Sequence, residues 1–78
     1  RAKLKIVPAM VSDVIDMFGK EVRLEKEGDA VAVTLTANEM ALKQFAKNFA
    51  PDVVVLEPQT LRDQVREELE RGAAAYRL

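Results

Sequence analysis

Apolar and polar side chains alternate from Ala2 to Val7, with Leu4 and Ile6 on one side and Lys3 and Lys5 on the other. This two-residue period predicts a strand with one face in water. Pro8 breaks the alternation, and Val11, Val14, Ile15 and Phe18 then recur at helical spacing. They predict a first helix, with Gly19 placed to cap its end. Glu21 to Glu27 alternates again around Val22 and Leu24, Gly28-Asp29 reads as a tight turn, and Ala30 to Thr36 returns with Val31, Val33 and Leu35 apolar. Together they predict a hairpin.

Thr36 lies three residues before Glu39, the spacing of a reciprocal capping pair at a helix start. The helix expected from there carries the stripe Leu42, Phe45, Ala46 and Phe49 and stops near Ala50-Pro51, because proline disfavours helical geometry in the residue before it. Asp52 to Glu57 reads as a fourth strand. Its run Val53-Val54-Val55-Leu56 is apolar on both sides, which predicts cover on each face by a helix or another subunit. Val54 and Leu56 are therefore candidate dimer contacts. Pro58 ends the strand, Thr60 and Asp63 offer a second capping pair, and a last helix is expected on the stripe Leu61, Val65, Leu69, Ala73 and Tyr76. Gly72 and the alanines after it are expected to weaken its end. Tyr76, near the chain end, is suited either to pack on the sheet or to cover a partner.

The order β, α, β, β, α, β, α contains no repeat or linker and predicts an α+β fold. With right-handed crossovers the first and third strands become central and both crossover helices share a sheet face, a ferredoxin-like βαββαβ sandwich. The additional C-terminal helix is left either to cover the open sheet face or to reach a neighbour.

Composition narrows the function. A chain of 78 residues is expected to form one domain with one small core, and without cysteine or histidine neither a disulfide nor a structural zinc can staple it. Packing must hold the fold, for which an apolar share of 49% is ample. Lysine and arginine total 12 against 13 acidic residues, so no field of the whole molecule steers it to nucleic acid or anionic lipid. No apolar run approaches the roughly 18 residues of a membrane span, and no export signal is present, so the expectation is a cytoplasmic protein without membrane partners. Arginine rather than methionine at position 1 suggests a segment of something longer.

Catalytic chemistry is not encoded in any pattern. Nucleophilic catalysis needs a base beside Ser, Cys or Thr, and Ser12 sits within a helical stretch of a chain that has no histidine. Glu21, Glu25, Glu27, Glu67, Glu68 and Glu70 fall on a hairpin and a helix surface, where carboxylates serve solvation, and the three glycines suit turns and helix ends. Neither a cofactor nor a metal is expected. The open sheet face would present Lys3, Lys5 and Arg23 beside Ala32 and Thr34, which is either a small phosphate-contacting patch or a solvated face. RNA-binding sheets of this plan stack bases on aromatics of the central strands, which here carry none.

At Phe49-Ala50-Pro51-Asp52-Val53-Val54-Val55-Leu56-Glu57-Pro58, followed by Leu61-Arg62, the sequence resembles the C-terminal extension (WCX) domain found behind WYL domains in bacterial transcription regulators. The Pro8 helix ending in Phe18-Gly19, the Glu21-Val22 and Val33-Thr34-Leu35 strands and the closing Arg- and Glu-rich helix occur in the family's order. Regulators of that family typically carry a DNA-binding winged helix-turn-helix, then a WYL domain, then this extension, and the sequence matches the extension alone. The resemblance implies a non-enzymatic homodimerising module that couples effector binding at the neighbouring WYL domain to DNA affinity, with DNA contacted only through the helix-turn-helix. Arg62 matches the family's Leu-Arg pair and is a candidate interdomain or ligand contact. Two departures stand out: Ala50 where the family usually has glycine after the second helix, and no tryptophan in that helix. The alternatives are a small-molecule sensor like the amino-acid-binding ACT-like domains, and a single-stranded nucleic-acid-binding module.

Overall fold

The computed structural model describes residues 1–19 and 21–77. Among them are a four-stranded antiparallel sheet and three α-helices, an α+β fold. The strands are β1 (Ala2–Ile6), β2 (Arg23–Glu27), β3 (Ala30–Leu35) and β4 (Val53–Glu57), and the helices α1 (Val11–Phe18), α2 (Glu39–Asn48) and α3 (Gln59–Ala75). Sheet order is β2-β3-β1-β4, so β1 and β3 are central.

The alternation of the strands sorts them into two unlike faces. Ala2, Leu4 and Ile6 of β1, Val33 and Leu35 of β3 and Val53 and Val55 of β4 are buried in one cluster with Val14, Leu42, Phe45, Ala46, Leu61 and Val65. That cluster draws on every helix, so all three pack on the same face of the sheet. The third helix lies against β4 and beside α2 rather than over the open face. Phe18 meets Phe45 edge to face at 5.2 Å between ring centroids, and Phe49 meets Phe45 at 4.9 Å. These rings supply the aromatic packing of α2 in the absence of tryptophan.

Local geometry departs from the sequence expectations where tertiary pairing intervenes. Leu35 is held in the ladder opposite Ala2, so the chain spends Thr36 and Ala37 leaving the sheet and α2 starts later than a Thr36 cap requires. Asn38 is the cap, its Oδ1 accepting from the Ala41 N–H at 3.1 Å. Likewise Thr60 and Asp63 do not cap α3: extended Pro58 precedes it, the helix begins at Gln59, and Asp63 accepts instead from the Gln59 side-chain amide at 2.9 Å. Pro8 opens a short 3-10 turn, Pro8–Met10, before α1. Gly19 ends that helix with φ 90°, and Gly28 turns the hairpin with φ 59°, both on the side that glycine alone adopts cheaply. No described non-glycine residue has positive φ, so α2 ends at Phe49-Ala50 without a left-handed cap.

Three burial expectations are corrected. Phe49 is 39% exposed, because α2 ends as it reaches the edge of the body. Strand β4 is covered on one face only: Val53 and Val55 are buried while Val54 is 41% exposed and Leu56 half-buried, since α3 joins the other helices instead of crossing to the far side. The apolar stripe of α3 is buried only at Leu61 and Val65, and every residue from Leu69 to Arg77 is exposed. Helix α3 continues through Gly72 to Ala75 as a projecting arm.

Two contrasts test this packing by denaturant unfolding. Leu61→Ala should cost about 2–5 kcal/mol as a cavity in the core, whereas Leu69→Ala should cost under about 1 kcal/mol; equal losses would mean that the whole stripe is docked. Asn38→Ala should cost about 1 kcal/mol through the lost cap, with Thr36→Ala within about 0.5 kcal/mol of the parent.

Candidate functional site

On the open face, strand register sets two rows that cross the whole sheet. Arg23, Thr34, Lys3 and Glu57 form the first, and Glu25, Ala32, Lys5 and Val54 the second. Each row mixes signs, as the near-zero net charge of the chain would suggest. Ala32 is buried even so, because the long side chains of its partners Lys5 and Glu25 flank it. Around Thr34 two shallow depressions meet, lined by Arg1, Lys3, Arg23 and Thr36 together with Glu21 and Glu57. Three cations, two hydroxyls and two carboxylates can hold a small polar anion at the surface; they do not enclose it.

Arg62 stands apart from these groups. It lies on α3, over a groove that runs beside β4 and is lined also by Pro51, Val54, Val65, Arg66 and Leu69. Thus Lys3, Lys5 and Arg23 share the open face, whereas Arg62 and Val54 share the groove. Leu56 is half-buried at a register irregularity where β4 meets β1 between Lys3 and Leu4. Tyr76 is 88% exposed, beyond the end of α3. Sequence reasoning missed the groove, because it depends on which side of the sheet α3 takes, and no local period encodes that choice.

The docked and projecting parts of α3 meet at Glu68. Its Oε1 accepts from Lys47 Nζ at 2.6 Å and its Oε2 lies 3.0 Å from Lys43 Nζ, both lysines on α2. Hydrogen bonding from Lys47, then from Lys43, holds the Glu68 carboxyl below the usual glutamate range. Among the described residues no helix is long and apolar enough to cross a membrane.

The model of the WCX domain family matches residues 1–73. None of the curated proteins matches the chain.

The depressed Glu68 carboxyl fixes the sign of a pH effect. The folded state binds this proton less readily than the unfolded chain, so the contribution is present above the ordinary glutamate range and fades as pH falls through the lowered folded value. Glu68→Gln should therefore remove a part of the acid-side slope in a stability-against-pH profile and lower stability slightly at neutral pH. An unchanged slope would show that the two lysines do not hold the carboxylate in solution.

Proposed function

Because the chain belongs to the WCX domain family, we propose that it is a non-enzymatic regulatory module of a bacterial transcription regulator. In this reading it forms dimer contacts in the cytoplasm and couples effector sensing by an adjacent WYL domain to DNA binding by a helix-turn-helix. Its fold is read as a ferredoxin-like sandwich extended by α3, on the basis of the strand order β2-β3-β1-β4 and the shared helix face.

The observation that carries the interaction role is the unspent surface of α3. The chain exposes 5529 Å², against about 4,700 Å² expected for a compact monomer of its mass. Its longest dimension is 42 Å against 25 and 20 Å across. The arm beyond Glu68 contributes to both departures, for Leu69 is partly and every residue from Glu70 to Arg77 is largely open to solvent. A small domain gains little from a helix end that packs on nothing in its own fold, since most helical stability comes from tertiary packing. The arm is therefore read as half of an interface, with Tyr76 as its anchor, in keeping with the enrichment of tyrosine at hot spots.

A second reading draws on the depressions around Thr34, where Arg1, Lys3 and Arg23 offer cationic donors to a carboxylate or phosphate effector. Such an effector would raise the melting temperature by mass action on the folded state.

The polypeptide that carries this domain should be a dimer by light scattering. Joint substitution Ala73→Asp and Tyr76→Asp should weaken its self-association at least roughly tenfold, equivalent to about 1.4 kcal/mol, with the folded monomer retained by circular dichroism. A monomer at every concentration, with no contact between this domain and its neighbours, would sink the proposal.

A further inference from the structure

Strand β4 pairs with β1 on one side and ends the sheet on the other. The Val7 N–H donates to the Asp52 carbonyl at 3.1 Å, which fixes the phase of that ladder. By antiparallel alternation the peptide groups of Val54 also turn toward β1, and those of Val53 and Val55 turn outward. The register irregularity lies beyond Val55, so this part of the edge is regular. Beside it runs the groove described above, about 320 Å³ in volume, with Val53, Val54 and Val55 of β4 on one wall and Arg62, Val65, Arg66 and Leu69 of α3 on the other.

We propose that this groove takes an extended peptide segment carrying carboxylates at alternate positions, added to β4 as a fifth strand. The proposal deepens the interaction-module reading by naming a partner chemistry, and it does not depend on dimerisation. Charge and spacing both favour it. Arg62 and Arg66 stand four residues apart on one helix, about 6 Å along the axis. Side chains two apart on a strand repeat at about 6.6–6.8 Å on one face, so alternate carboxylates can meet both guanidinium groups, with Arg66 exchanging its exposed 3.8 Å contact with Asp63 for the peptide. Side chains on the other face of the added strand would lie beside Val54 on the open face. A second copy of β4 fits less well, because edge-to-edge pairing sets Arg62 and Arg66 of one chain against the same two residues of the other. Strand addition supplies main-chain hydrogen bonds for affinity and uses alternate side chains for specificity.

The test is a titration of the isotope-labelled chain with a blocked hexapeptide alternating glutamate and valine, followed by NMR. Amide signals of Val53 to Val55 should shift, and hydrogen exchange should slow at Val53 and Val55 while Val54, already in the ladder, changes little. A hexapeptide alternating lysine and valine should not bind. Joint substitution Arg62→Glu and Arg66→Glu should weaken the glutamate peptide roughly tenfold and admit the lysine peptide, with thermal unfolding unchanged because both side chains are exposed. Shifts elsewhere, equal binding of both peptides, or no binding overturn the proposal. Val53–Val55 signals that move with protein concentration alone also overturn it, by assigning the edge to a second copy. The arm variants at Ala73 and Tyr76 lie outside the groove, so loss of dimerisation and loss of peptide binding are separable.

Discussion

Everything in this fold hangs on the two-sidedness of the sheet. Leu4, Ile6, Val33, Val53 and Val55 present hydrocarbon to one side, and the residues between them, charged or small apart from Val54, face the other. Burial of hydrocarbon is the main favourable term available to a chain without disulfides or histidine-bound metal, so the helices have only one place to go. Once α1, α2 and the front of α3 share that face, the opposite face is left to water and the rim of β4 is left beside α3. The candidate surfaces follow from this division.

Much of this was legible in the residues. The period of two in β1 and β3 and the period near 3.6 in α2 name most of their inward positions, the stripe of α1 is fully buried only at Val14, and Pro8, Gly19 and Gly28 mark the turns because their backbone demands are local. Caps were less legible. Thr36 and Asn38 both suit a helix start, and the choice was made by the pairing of Leu35 with Ala2, a contact between strands far apart in sequence.

The apolar run of β4 and the stripe of α3 misled for one shared reason. A periodic pattern records which residues would profit from cover; it does not record whether the chain itself supplies it. Val54 and Leu69 are therefore sequence-visible as apolar and structure-visible as partly exposed. The groove needed both pieces of information, together with the placement of Arg62 and Arg66 on the wall that faces β4. The open-face rows of Arg23, Thr34, Lys3 and Glu57 were nearer to hand, since strand alternation alone puts three of them on one side.

The junction at Glu68 differs in kind from the seam that precedes it. Leu61 and Val65 are held by exclusion of water, a force that added salt leaves intact or strengthens. The next fastening is a carboxylate between two ammonium groups near the surface, an ion pair that dissolved salt weakens without abolishing. The hydrocarbon-packed length of α3 therefore gives way to its exposed length at a contact that responds to dissolved ions, while the seam before it does not.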